Sequence, residues 1–234
     1  VPSGTTYAWS SLPVVTGGLT GGATATGQST INGTLTNPTN IPQTATYTVT
    51  PTSGSCTGPT FTVVATINPR PVVPNQTATI CSGTAFTTSP TNNAPTTIIP
   101  SNTTYTWTVA PNASVTGETD QAVGQSSISQ ALTNTTNTVQ TVVYTVTPTS
   151  GADGSCVGSS FTVTVTVNPL PTATITGTTE VCQNGASPSV TFTGANGSAP
   201  YTFTYTINGG AAQTVVSVGN TAQVIVPTGT VGNF

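Results

Sequence analysis

The sequence predicts an all-β protein, a row of tandem β-sandwiches, and three observations predict it. The apolar residues are mainly Val, Ile, Phe, Tyr and Trp beside abundant Thr, the types that fit a pleated, half-buried surface. Met and Lys are missing, and Leu and Glu are scarce, so good helix formers are few and essentially no helix is expected. Apolar residues alternate with Thr over short runs, and whole stretches of the chain recur at a period of about 100 residues, a length that suits one sandwich per repeat.

The alternation identifies the strands. Tyr105, Trp107 and Val109 share one parity; so do Val142, Tyr144 and Val146, and Phe161, Val163, Val165 and Val167. A period of two with Thr between reads as half-buried antiparallel strands, so Tyr105, Trp107, Tyr144, Val146, Phe161, Val163 and Val165 are expected in a core. Turn chemistry bounds the runs: Thr-Pro-Thr-Ser-Gly at 147–151, and Asn208-Gly209-Gly210 between Tyr201–Ile207 and Gln213–Val218. Short strands with a Trp on an early one and a Tyr on a late one read as an immunoglobulin-like sandwich.

The repeats are close in text. Thr5-Thr6-Tyr7-Ala8-Trp9-Ser10 returns as Thr103-Thr104-Tyr105-Thr106-Trp107-Thr108, and Tyr47-Thr48-Val49-Thr50-Pro51-Thr52-Ser53-Gly54 returns at Tyr144–Gly151. Gly27-Gln28-Ser29 returns as Gly124-Gln125-Ser126, and, after the insertion Ala152-Asp153-Gly154, Phe61–Pro69 returns as Phe161–Pro169. The near-duplicates Asn68-Pro69-Arg70-Pro71 and Asn168-Pro169-Leu170-Pro171 read as short, stiff linkers, because proline fixes φ and restricts the residue before it. The expected units are 1–69, starting late at the Tyr-x-Trp strand, a whole repeat at 70–169, and a second subtype at 170–234 that stops early. Both ends read as cut from something longer.

Composition narrows function sharply. The 234 residues include one Lys or Arg, four Asp or Glu and no His, for a net charge of −3. General acid–base chemistry draws on His, paired carboxylates or a tuned Lys, and nucleic-acid binding needs clustered cations. Arg70 is the sole cation, so no enzyme, no cofactor, no nucleic-acid partner and no polybasic membrane contact is expected. No run approaches the roughly 18–20 apolar residues of a membrane span, and no start resembles a signal peptide. The charge is too low for the disordered signature.

The pattern Thr79-Ile80-Cys81-Ser82-Gly83, Tyr105-Thr106-Trp107, Tyr144–Pro148, Cys156 and Phe161–Pro171 resembles the PKD-like and Ig-like repeats of very large surface proteins of Bacteroidota. Glu180-Val181-Cys182-Gln183-Asn184-Gly185 followed by Ala199–Gly210 resembles a second subtype from the same proteins. The resemblance spans essentially the whole chain and brings no catalytic residue. It implies gliding-motility or biofilm adhesins, exported by the type IX secretion system to the cell surface, in which such repeats are spacers whose partners are neighbouring repeats. Repeats that themselves bind surface glycans or other copies of the chain, or accessory domains of a secreted hydrolase, stand as alternatives.

Four cysteines are candidate staples. Cys81 and Cys156 fall in the whole repeat, Cys56 aligns with Cys156, and Cys182 aligns roughly with Cys81. A Cys81–Cys156 bond would close a loop of about 75 residues, a contribution of about 4 kcal/mol in the chain-entropy model; Cys56 and Cys182 would then pair outside the chain. Pairing across the linkers, Cys56 with Cys81 and Cys156 with Cys182, is the alternative, since sequence does not fix connectivity. Without a His, a catalytic thiol lacks an activating base.

The remaining candidates carry bland readings beside functional ones. Glu118, Asp120 and Asp153 are weak Ca²⁺ candidates against ordinary loop carboxylates. Trp9, Trp107, Tyr105 and Tyr201 could form a sugar-stacking platform, but their parity places them with the core Val residues. Asn-x-Ser/Thr sequons at Asn32, Asn75, Asn102, Asn112, Asn134 and Asn196 arise readily in so Asn- and Thr-rich a chain. Because Arg70 precedes Pro71, trypsin is expected to leave the chain at full length on a denaturing gel; a cut after residue 70 would overturn this.

Overall fold

The computed structural model describes residues 1–9, 12–151, 154–177 and 180–229. These residues are strands, turns and connections, with no helix among them. The strands pack around three hydrophobic cores, and the protein is an all-β array of immunoglobulin-like sandwich units.

The first core is built from β1 (Thr6–Trp9), β2 (Val14–Val15), β3 (Thr20–Gly21), β4 (Ala25–Gln28), β5 (Leu35–Thr36), β6 (Gln43–Ser53), β7 (Cys56–Thr57) and β8 (Phe61–Ile67). Strand β6 is the hub and pairs antiparallel with β1, β2, β7 and β8. Its inward parity puts Ala45, Tyr47 and Val49 in the core with Trp9 and Leu19.

The second core is the most complete. It comprises β9 (Gln76–Cys81), β10 (Thr84–Thr88), β11 (Thr104–Val109), β12 (Val115–Thr116), β13 (Gln121–Gln125), β14 (Ile128–Asn134), β15 (Gln140–Thr149) and β16 (Phe161–Asn168). A five-stranded sheet in the order β13-β11-β15-β16-β9 faces a three-stranded sheet in the order β10-β14-β12. Between them lie Tyr105, Trp107, Tyr144, Val146, Phe161, Val163 and Val165, with Phe86, Ile128, Leu132, Val142 and Val167. The strict alternation of β16, buried at each odd position from Phe161 to Val167, follows from a pleat with one face on the core.

The third core has β17 (Thr172–Thr176), β18 (Ser189–Ala195), β19 (Thr202–Tyr205), β20 (Gln213–Val216) and β21 (Thr221–Ile225). It packs a β17-β18-β21 sheet against the β19-β20 hairpin, with Phe192 and Phe203 stacked at 5.5 Å. Asn208 and Gly209 take positive φ, 52° and 67°, at the tip of that hairpin, where few other residues would be tolerated.

The runs read as antiparallel pair so, β11 with β15 and β15 with β16, and two details add to or depart from the sequence reading. Strand β9, on which that reading is silent, pairs with β16 in parallel, Gln76 opposite Val163 and Cys81 opposite Asn168, because the chain leaves the linker at the end where β16 starts and climbs alongside it. Thr-Pro-Thr also continues the strand instead of bounding it: Pro51 lies in β6, which ends at Ser53, and Pro148 in β15, which ends at Thr149. Each proline carbonyl accepts from a glycine N–H, Gly58 at 2.9 Å and Gly158 at 2.8 Å. The missing proline donor therefore points past the start of the neighbouring strand, where no ladder bond needs it.

The first and second cores share their details. Tyr7 meets Phe61 and Tyr105 meets Phe161 edge-on, each at 6.3 Å and 85°, and each Tyr-x-Trp strand has a register shift opposite the repeated Gly-Gln-Ser, as a β-bulge produces. They differ at one edge. Phe161 is 3% exposed and Phe61 is 40% exposed, because no described strand lies beside β8 as β9 lies beside β16. Leu132→Ala, at a fully enclosed site, is expected to cost about 2–5 kcal/mol in urea unfolding, whereas Val143→Ala on the outer face of β15 should stay within about 0.5 kcal/mol.

Candidate functional site

Each unit has two poles, and the polar chemistry gathers there. In the second unit the near pole is where β16 begins, beside the hairpin from Ser150 to Gly158, and the far pole is where β16 ends. Linker Asn68–Pro71 enters at the near pole and linker Asn168–Pro171 leaves from the far one.

A buried asparagine organises the far pole. Asn134, 7% exposed, donates through Nδ2 to Thr138 O at 2.7 Å and Val167 O at 3.0 Å. Its Oδ1 accepts from Thr136 N and Thr136 Oγ1, both at 2.8 Å. All the amide's main bonding capacity is thereby used, as burial requires. Ser82 joins the cluster: its Oγ accepts from Asn134 N at 2.9 Å, and its N donates to Asn168 O at 2.8 Å. Asn37 repeats the arrangement, donating to Ile41 O and Ile67 O at 2.8 Å and accepting from Thr39 N and Oγ1. The sequence reading treated Asn134 only as a sequon. The usable signal was the shared spacing Asn37-x-Thr39-x-x-x-Gln43 and Asn134-x-Thr136-x-x-x-Gln140, in which each Gln also donates to the Thr hydroxyl at 3.1 Å.

The near pole grips the linker. Arg70 donates from Nε to Val157 O at 2.7 Å, and Pro69 and Pro71 are fully buried. Gly158 is required there by close approach, since a Cβ would collide with the Pro71 carbonyl and the Pro148 ring. The sole cation thus serves as a clamp between linker and hairpin.

The cysteines do not pair as expected. No two of Cys56, Cys81, Cys156 and Cys182 are bonded to each other. Cys81 lies level with Asn168 at the far pole, whereas Cys156 adjoins Val157, which bridges Thr149 at the near pole. The stretch of β15 separating these levels, Gln140 to Thr149, is about 30 Å long at the usual strand rise, against the roughly 7 Å between Cα atoms that a disulfide allows. The expected Cys81–Cys156 bond is therefore corrected. The alternative pairs fare no better: Cys56 is in the near-pole hairpin of the first unit, and Cys182 is beside Gln183 and Asn184, which bond Gly229 and Thr228 beyond the end of β21 at the far pole of the third. Neither Cys56 with Cys81 nor Cys156 with Cys182 faces a common linker.

The other candidates serve the scaffold. Glu118 Oε1 accepts from Asn112 N at 3.3 Å and Asp120 Oδ1 from Val109 N at 2.8 Å, while Asp153 lies outside the described residues. Among the described residues no three His, Cys, Asp or Glu side chains gather as metal ligands would. Trp9 and Trp107 are buried, their indole N–H groups donating to Ala23 O and Thr119 O at 2.7 and 3.1 Å. Tyr201 is half-buried beside Phe203, its hydroxyl donating to Gly197 O. Of the sequons, Asn134 is buried and Asn112 donates to Thr141 O.

With this geometry in place, the family is shown. A PKD-like domain model matches residues 1–71 and 78–171, more than half of the chain, which therefore belongs to the PKD-like family. No curated protein matches the chain.

Two outcomes follow from the polar groups. Asn134→Ala strands the carbonyls of Val167 and Thr138 and is expected to cost about 1–3 kcal/mol, measured by chemical denaturation. Burial, and secondarily the charge of Glu118, pushes the Tyr144 hydroxyl far above the ordinary tyrosine range, and burial raises Tyr105. Both are neutral in folded and unfolded chains below the unfolded pKa of about 10. Above it the unfolded chain ionises while the folded one holds its protons, so stability falls as pH rises. The melting temperature should drop above about pH 10, and less so in Tyr144→Phe.

Proposed function

We propose that this chain is a spacer segment of the stalk of a secreted, cell-surface adhesin, in which units 1–69, 70–169 and 170–234 are joined end to end and hold a binding region away from the cell. The observation that carries this reading is the clamped linker: Arg70 bonded to Val157 O between two buried prolines. A junction built this way transmits direction from one unit to the next instead of acting as a free hinge. The membership in a family of repeat modules and the resemblance to type IX-exported adhesins support the same reading, with the extracellular surface as its location.

The surface agrees with a spacing role. In residues 70–169 all five aromatic side chains, Phe86, Tyr105, Trp107, Tyr144 and Phe161, are buried, and the exposed large apolar residues are single valines such as Val123, Val139 and Val143. Aromatic faces and contiguous patches are what binding surfaces present. No helix of the described residues is long and apolar enough to cross a membrane. The reading assigns no catalytic step, consistent with a sequence that has no His and no Lys.

Small-angle scattering tests it on the chain as it stands. A compact protein of this length has a radius of gyration of about 17 Å, whereas three units of roughly 25–35 Å each in a row should give a clearly larger value and a rod-like distance distribution. A radius near the compact value would overturn the spacer reading. Retention on immobilised surface glycans would favour binding repeats instead.

A further inference from the structure

The cysteines sit where they cannot serve their own unit, yet Cys81 and Cys156 each sit against a linker. At the far pole of the second unit Cys81 is the cross-strand neighbour of Asn168, the first linker residue, and Ser82 N donates to Asn168 O at 2.8 Å. At the near pole Cys156 is next to Val157, whose carbonyl holds Arg70 of the incoming linker, and Gly154 packs against the Asn68 side chain. The two linkers share the pattern Asn-Pro-x-Pro, and the far poles of the first and second units share the same asparagine network.

Transferring one junction onto the other brings both cysteines to one linker asparagine. A far-pole cysteine placed as Cys81 is would lie one strand spacing, about 4.8 Å, from Asn68, along the edge of β8 that no described strand occupies. The hairpin carrying Cys156 reaches that same asparagine through Gly154, which lies against the Asn68 side chain. Cys56 repeats the near-pole position and Cys182 the far-pole one. Within residues 1–234 neither the far pole of the first unit nor the near pole of the third carries a cysteine, so neither linker of this chain holds both members of such a pair.

We propose that the far-pole cysteine of each unit is joined by a disulfide to the near-pole hairpin cysteine of the unit that follows, so that one covalent bond staples each linker. This rests on the tandem-array reading above. Two thiols form one S–S bond and release two protons and two electrons; a dithiol–disulfide oxidoreductase in its disulfide form, or a low-molecular-weight disulfide, accepts them and is reduced to thiols. The bond would stop the units from swivelling about the prolines and would keep a staple at each junction if the Arg70 contact were lost.

Peptide mapping of the full-length protein, alkylated without reduction and digested with chymotrypsin and elastase, tests the pairing. The peptide containing Ser155-Cys156-Val157 should be linked to the far-pole turn of the preceding unit, and that containing Ile80-Cys81-Ser82 to the near-pole hairpin of the following one. Cys156→Ser should free a thiol on the preceding unit and leave Cys81 bonded. The 234-residue chain held in oxidised glutathione should form no intrachain disulfide. A Cys81–Cys156 link in one unit, release of Cys81 by Cys156→Ser, or four thiols alkylated without reduction in the full-length protein would each overturn the proposal. An extended array with free thiols would leave the spacer reading standing and remove only this one, and mapped staples in an array that binds glycans would do the reverse.

Discussion

Asn134 fastens the end of one strand to the loop that follows another, and the rest of the unit is arranged around that fastening. Its amide holds the carbonyl of Val167 just as β16 gives way to the linker, and its backbone holds Ser82 in the turn that leads from β9 to β10. A chain with one cation and four carboxylates has almost no ion pairs with which to close the ends of its sandwiches. Neutral side chains must do it, and a buried amide whose donors and acceptor are all engaged is a strong neutral device, because leaving any of those groups unpaired is costly. The same fastening by Asn37 gives both units the same outgoing geometry, and hence the same platform for a linker.

The long walls between the poles use a simpler economy. Along β15 and β16 Val, Phe and Tyr turn inward and mostly Thr outward, so the outer faces of these walls are largely polar without charge. Where the inner pattern meets a gap, the cost is visible. Tyr144 donates to Gln130 Oε1 at 2.8 Å, but the first unit has Gly33 in the place of that Gln, and the Tyr47 hydroxyl is buried with no hydrogen-bond partner among the described residues. The units are thus variations on one plan, with the polar details tuned locally.

Much of this was legible in the sequence, for a definite reason. A period of two along Phe161–Val167 has only one way to sit on a core, and a repeat of the Tyr-x-Trp strand must repeat its surroundings. What escaped was long-range. Parallel pairing of β9 with β16 depends on which pole the chain enters, which no local pattern encodes. Pro148 read as a turn because the sequence hides which neighbour its missing donor would face. The cysteines misled for the same reason: sharing one repeat suggested a shared bond, whereas the strand register sets Cys81 and Cys156 at opposite ends. Arg70 and Asn134 were visible as residues but not as contacts, since their partners are backbone carbonyls, which every residue offers.

The parallel pairing of β9 and β16 has a mechanical side. The chain enters the second unit next to the start of β9 and leaves at the end of β16, and these two strands lie side by side in register from Gln76 opposite Val163 to Cys81 opposite Asn168. Tension applied along the chain pulls the two strands past each other lengthwise instead of peeling them apart. In shear, the bonds of the ladder share the load and must yield together, whereas in a peeling geometry they would give way one at a time. A unit threaded in this way is strongest along the direction in which a tether is pulled.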